Sequence, residues 1–423
     1  MTENDTPWTE PFFWNWVGKN VKESPAKLIL REKESGFEWI DCAVTQIECR
    51  KRFAKKLAVT LHKFPEFYFP TVLSGEQSTS DAIAAYHEKF VDEGDILVDL
   101  TAGLGIDVMH LCRKVKKATA IEKDSYLCKA LEWNSKGLGI KNLDVINCDC
   151  KETLKTIEGT VVYIDPARRA ANGSRVFGLS DCTPDITKIL PDLKDRFNKL
   201  IIKTSPMLDI SSLIVELQGT ADVYAIGTAT ECKELVAIVD LSKDVPNKET
   251  KKLDDVRIHA VTIRPELKTV EFTFTMAEEK AASASLMASR PKIGDILYEP
   301  FPSTMKAQPV KLLSERFNVK KFHINTHLYF GKPENIRYDF PGKLYEIVDL
   351  IVWQSKNLKR FKSKYPNVMV SVRNFGMTAD ALRAKLGVKE NGSDRLRLFG
   401  IGLGKDHTDK LLVVCKEVNN EPE

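Results

Sequence analysis

No Cys-x-x-Cys pair occurs among the nine cysteines of this 423-residue chain, and their number is odd. Neither a disulfide framework nor a zinc-ribbon spacing is therefore present. No uninterrupted apolar stretch approaches the roughly 18 residues that cross a bilayer. The opening MTENDTPWTEPFF is acidic and has no basic stretch leading into an apolar run, so it does not read as a secretory signal. Charge of one sign is also missing, since 63 Lys+Arg against 59 Asp+Glu leave only +4. That balance excludes a uniformly basic, histone-like nucleic-acid binder while leaving local patches open. What remains is ordinary for a folded chain, 43% hydrophobic and 29% charged. At roughly 100–200 residues per domain it should form about three domains. A reduced, cytoplasmic protein with no membrane and no metal partner is expected.

From Ile96 onward, short apolar runs alternate with helical stretches, the pattern of a parallel α/β sheet. Strands are predicted at 96–100, 118–122, 144–147, 161–165 and 200–204, with helices between them at about 106–115, 125–137, 151–157 and 184–197. Two further strands, 223–227 and 234–241, are separated by only six residues. A link that short holds no crossover helix, so this pair should run antiparallel. A parallel sheet closed by such a hairpin is the seven-stranded, Rossmann-like arrangement of class I methyltransferases.

Upstream, 46–57 reads as a helix in which five of the eight residues from Cys49 to Lys56 are basic. It fits either a solvated face or a phosphate-binding surface. Downstream, the charged stretch 242–255 reads as a linker, 257–276 as paired strands and 277–289 as a helix. From about Lys343 the order strand, helix, strand, helix, strand, strand describes a small α+β domain. Between Leu350 and Ala379 no acidic residue occurs, while Lys356, Lys359, Arg360, Lys362, Lys364 and Arg373 alternate with Trp353, Phe361 and Tyr365. Such a segment suits phosphate contact and base stacking, or equally a solvated helix with aromatics in a core.

The strongest local signal is Asp99-Leu100-Thr101-Ala102-Gly103-Leu104-Gly105, an apolar strand that ends in an acid and enters a Gly-x-Gly turn. Gly103 and Gly105 permit tight curvature and close approach of a ligand to the main chain. A third glycine is absent, because Val108 stands where a dinucleotide site needs a small residue. Glu122, 17 residues after Gly105, ends the next strand and can accept from both ribose hydroxyls. Asp149 follows the third strand, where it can accept from an adenine amino group. Three acids on one sheet edge suit S-adenosylmethionine. Cys148 and Cys150 lack the further ligands of a metal site.

Beside the expected position of the donor methyl lies Asp165-Pro166-Ala167-Arg168-Arg169. In methyltransferases acting on nitrogen, an Asp/Asn-Pro-Pro-aromatic motif sits here and accepts from the target amino group. Asp165 and the Pro166 carbonyl can do so, although Ala167 and Arg168 depart from the motif. Carbon-5 pyrimidine chemistry would need a cysteine nucleophile near the fifth strand's end, and Lys203-Thr204-Ser205-Pro206-Met207 has none. Cys182 is the nearest thiol in sequence. Arg168 and Arg169 are read as phosphate contacts or as surface charges. The stretch 74–80 caps the next helix or closes over the donor.

Taken together, QIECR (46–50), EQSTS (76–80), DLTAGLG (99–105), DPARR (165–169), KTSPM (203–207), YEP (298–300), NTHLY (325–329) and RNF (373–375) resemble a bacterial family of class I S-adenosylmethionine-dependent methyltransferases with a C-terminal THUMP-like domain. The resemblance implies a methyltransferase core, a small ferredoxin-like domain, a THUMP-like domain and an RNA substrate. The expected division is 1–73 helical, 74–242 methyltransferase, 243–335 ferredoxin-like and 336–423 THUMP-like. Thr101 joins Asp99, Gly103, Gly105, Glu122 and Asp149 as donor contacts, Asp165 and Pro166 are catalytic, and Lys203 and Ser205 join Arg168 and Arg169 on the substrate. Methylation of a protein or small molecule, and a non-catalytic RNA-binding factor, stay open as alternatives.

Overall fold

The computed structural model describes residues 6–32, 37–168, 178–194, 196–242, 253–264, 267–390, 396–403 and 409–418. It divides into two compact units, Met1–Val223 with Glu234–Lys252, and Tyr224–Lys233 with Leu253–Glu423.

The first unit begins with helices Pro11–Asn20, Pro25–Glu32 and Ile40–Phe53, packed through Trp8, Phe13, Leu28, Ile47 and Tyr68. The basic helix therefore starts earlier than expected and stops at Phe53. Two basic side chains of this segment, Arg50 and Lys56, reach main-chain oxygens. Arg50 donates at 2.8 Å to the carbonyls of both Pro65 and Phe67, and Lys56 donates to those of Gly75 and Glu76 at 3.0 and 2.7 Å. Arg52 pairs with Glu48 and Glu76. Arg50 and Lys56 thus staple neighbouring segments together, which corrects the phosphate-surface reading for those two.

Seven strands then follow: β1 Ile96–Asp99, β2 Lys117–Glu122, β3 Leu143–Asn147, β4 Val161–Ile164, β5 Lys199–Thr204, β6 Thr220–Gly227 and β7 Cys232–Asp240. Their spatial order is β6-β7-β5-β4-β1-β2-β3. β1 lies parallel to β2 and β4, β2 to β3 and β4 to β5, whereas β7 runs antiparallel to β5. This is the α/β class I methyltransferase arrangement. All the parallel strands end on one edge of the sheet, so the acids that end them meet there. Helix Ser125–Gly137 matches expectation, while Ile106–Leu111 is shorter than predicted because the charged run Arg113–Lys117 turns back into β2.

In the second unit, β8 Arg257–Thr262 and β9 Val270–Thr275 pair antiparallel. Helix Met276–Ala281 replaces the longer one predicted. A capping box of Thr275 and Glu278 starts it, and the N–H groups of Ser283, Ser285 and Met287 then turn to Glu315, Ser314 and Lys321. The remaining strands are β10 Ile296–Pro300, β11 Lys320–His323, β12 Thr326–Gly331, β13 Gly342–Val352, β14 Met369–Arg373, β15 Leu396–Gly402 and β16 Lys410–Val418. They form one sheet in the order β11-β12-β10-β13-β16-β15-β14. Helices Ser355–Lys364 and Ala379–Leu386 cover part of it, burying Phe361, Tyr365, Leu382 and Leu386. Phe361 and Tyr365 are thus core residues, and base stacking by them is withdrawn. Lys356, Arg360, Lys362 and Lys364 remain on the exposed face. Among the described residues, no helix is long and apolar enough to cross a membrane.

Candidate active site

The carboxyl edge of β1, β2, β3, β4 and β5 borders a cleft of about 850 Å³, lined by residues 76–79, 99–107, 121–123, 148–151 and 165–167 with Tyr163 and Lys203. Buried Asp99 ends β1 and accepts the Thr101 N–H at 3.0 Å. Thr101 in turn accepts the Asp165 N–H at 2.7 Å, tying the ends of β1 and β4 together. Between them Gly103 (φ 55°) and Gly105 (φ 83°) adopt left-handed backbone. A Cβ at Gly105 would lie 2.1 Å from Leu131, so the turn can press this closely on helix Ser125–Gly137 only as glycine. Above Gly103 a Cβ would meet nothing nearer than 4.0 Å, which leaves the cleft side of the turn free for a ligand.

Glu122 is half-buried and faces this turn. Its carboxylate accepts the N–H of Gly103 through Oε2 and of Asp124 through Oε1, each at 2.9 Å. That clamp holds the carboxylate in one orientation while leaving lone pairs toward the cleft. Asp149 accepts the Lys151 N–H at 2.9 Å and caps the short helix that follows. Asp99, Thr101, Gly103, Gly105, Glu122 and Asp149 are therefore brought to one wall.

The opposite wall holds Asp165 and Pro166, and behind them a buried ionic cluster that sequence reasoning missed. Lys203 Nζ lies 2.6 Å from Asp165 Oδ2, 3.2 Å from Asp107 Oδ2 and 2.8 Å from Thr79 Oγ1. Asp107 Oδ1 meets His87 Nδ1 at 2.9 Å, and His87 Nε2 meets Glu234 Oε1 at 2.6 Å. With a carboxylate on each ring nitrogen, His87 holds a proton on both. Burial pulls its pKa down, yet Glu234 and Asp107 outweigh burial and push it up to about 9. Burial likewise raises Asp107, but Lys203 and His87 hold it far below the usual carboxylate range. For Asp165 burial prevails over Lys203, and its pKa is raised. Asp99 is raised well above the ordinary value by burial, with the charges of Asp107 and Asp165 adding to it. The Tyr163 hydroxyl, buried and opposite Asp99 in register, has no hydrogen-bond partner among the described residues.

Four substrate assignments fare differently. Lys203 is buried and engaged by Asp165, Asp107 and Thr79, so it does not present its ammonium to a phosphate. Ser205 accepts the Met207 N–H in a turn and is not among the residues lining the cleft. Arg168 pairs with Cys182 through a two-residue ladder, and Arg169 falls outside the described residues. Asp107 carried one legible signal, a single acid among Ile106, Val108, Met109 and Leu111. An acid among the apolar residues of a helix's first turn needs a buried partner.

His87 also gives a pH prediction. Its folded pKa is raised from an ordinary 6.5 to about 9. Its stabilisation should be fully present below pH 6.5 and lost as pH rises through about 9, by about 3 kcal/mol in all. Urea unfolding across that window should show the fall in wild type, and His87→Gln should flatten it.

Residues 297–341 match a ferredoxin-like domain family, and residues 342–417 match a THUMP domain-like family. The crystal structure of a proposed methyltransferase from Porphyromonas gingivalis W83 is similar over 96% of this chain and 98% of that one, at 29% identity and a TM-score of 0.82. An uncharacterized protein of Methanocaldococcus jannaschii is 39% identical over 62 residues, 15% of this chain. The chain spans only 24% of the length of that curated relative.

Proposed function

We propose that this chain, a class I methyltransferase fold carrying ferredoxin-like and THUMP-like domains, transfers the methyl group of S-adenosylmethionine to a base nitrogen of RNA. One observation carries the reading: a single cleft has Glu122 and Asp149 on one wall and a partly open carboxyl, Asp165, on the other. The division into 1–73, 74–242, 243–335 and 336–423 is proposed with it.

The residues suit the donor. Glu122, already clamped by two N–H groups, accepts from the ribose hydroxyls. Asp149 accepts from the adenine amino group, and the turn at Gly103 leaves main chain accessible. Asp99 and Thr101 hold that turn in shape. When bound, S-adenosylmethionine supplies an electrophilic methyl on a sulfonium. Asp165 accepts an N–H of the incoming amino group, with the Pro166 carbonyl beside it. That hydrogen bond turns the nitrogen lone pair away from the carboxyl and toward the donor. Positioning of this kind supplies much of the rate when no strong base is needed. Arg168, next to cleft-lining Ala167, is assigned to a substrate phosphate. Lys356, Arg360 and Lys362 would contact the RNA backbone, giving salt-sensitive binding.

Calorimetric titration with S-adenosylmethionine tests the donor wall. Glu122→Ala should weaken binding by about 10- to 100-fold, the value of losing charge-assisted hydrogen bonds. Absence of binding by wild type, or binding untouched by the substitution, removes the assignment.

A further inference from the structure

One buried cation stands between the acceptor-side carboxyl and the rest of the ionic cluster. Lys203 occupies Asp165 Oδ2, while Asp165 Oδ1 has no protein hydrogen-bond partner among the described residues. The carboxyl is 37% exposed, so that second oxygen is the one a ligand can reach. The ammonium is held on its far side by Asp107 and Thr79, and Asp107 is held by His87, which Glu234 holds in turn. The chain of contacts is continuous from β7 to the cleft.

We infer that Lys203 is the positioning residue of this site: it holds one oxygen of Asp165, keeps that carboxyl charged and leaves the other oxygen to accept the N–H of the incoming amino group. The inference rests on Asp165 being the acceptor contact, as proposed above. Groups facing Asp165 come from five directions: Lys203 on β5, Asp107 after the glycine turn, Asp99 on β1, Tyr163 on β4, and Glu234 on β7 with His87 behind Asp107. Two cations, Lys203 and His87, directly contact three carboxylates, Asp107, Asp165 and Glu234, and Asp99 lies close by with no cation in contact among the described residues. Without Lys203 the three anions would share one cation. A proton would then settle on Asp165, whose Oδ2 loses its cation partner at 2.6 Å. A protonated carboxyl is a donor as well as an acceptor and no longer orients an N–H.

Two readouts test this. In protein labelled with ¹³C at aspartate carboxyls, the Asp165 resonance is identified by its loss in D165N. Its titration midpoint should rise by about one pH unit or more in K203M and return in K203R. An unchanged midpoint in K203M overturns the inference, whether or not the wild type transfers methyl groups. K203Q takes the place of K203M where calorimetry with S-adenosylmethionine indicates that K203M has not folded. In the transfer assay, K203M should lower kcat at neutral pH and recover as pH rises, with KM for the donor unchanged. In a D165N background the same substitution should cost less than about threefold, because an amide needs no counter-charge. Equal losses in both backgrounds would mark Lys203 as structural only. A wild type that transfers nothing would instead remove the proposed function and leave the titration to decide.

Discussion

Replacing Asp165 by alanine is expected to lower methyl transfer by about 100-fold or more while donor affinity stays within about threefold. Asp165 is the acceptor-wall carboxyl, tied through its N–H to Thr101 and through Oδ2 to Lys203. Its remaining oxygen is the one proposed to accept from substrate. The proposed donor contacts Glu122 and Asp149 lie at the ends of other strands and keep their own main-chain hydrogen bonds. The loss should therefore appear in kcat. Asp165→Asn keeps an acceptor oxygen and should retain more activity than Asp165→Ala. Single-turnover assays paired with calorimetry separate the effects. Equal loss of donor affinity, or retained turnover, would remove Asp165 from the acceptor role.

The second large effect concerns stability. Asp107→Ala should destabilise the first unit by about 3–5 kcal/mol, because breaking a buried ion pair leaves uncompensated charge. Here two cations lose their shared partner, Lys203 at 3.2 Å and His87 at 2.9 Å. Asp107→Asn preserves shape but removes the charge, so it should recover only part of the loss. Urea unfolding at pH 6.5 measures this. A loss below about 1 kcal/mol would contradict the role given to Asp107.

Why the sheet was legible and the cluster was not follows from where each signal resides. Strands β1 to β5 are short apolar runs bounded by turn residues, a local pattern, and Gly103 and Gly105 mark their turn by needing positive φ. That Glu122 and Asp149 line one cleft could be read because strand ends share one edge. The cluster, by contrast, joins residues far apart in sequence. Thr79 and Asp107 are 28 positions apart, Lys203 and Asp107 are 96 apart, and His87 and Glu234 are 147 apart. No period or spacing encodes such a meeting. Lys203 illustrates the cost: within KTSPM it reads as a substrate cation, and only burial shows that its charge is already neutralised. Similarly, Phe361 and Tyr365 lie four positions apart among lysines, a spacing equally suited to a stacking face and to a core seam.

Methyl transfer to RNA is tested directly by one measurement. RNA and protein from a strain lacking the gene are incubated separately with the purified chain and S-adenosylmethionine tritiated on the methyl group. The prediction is label in RNA, carried by a base nitrogen on nucleoside analysis and lost with Asp165→Ala. Label in protein alone, or in neither fraction, would contradict it.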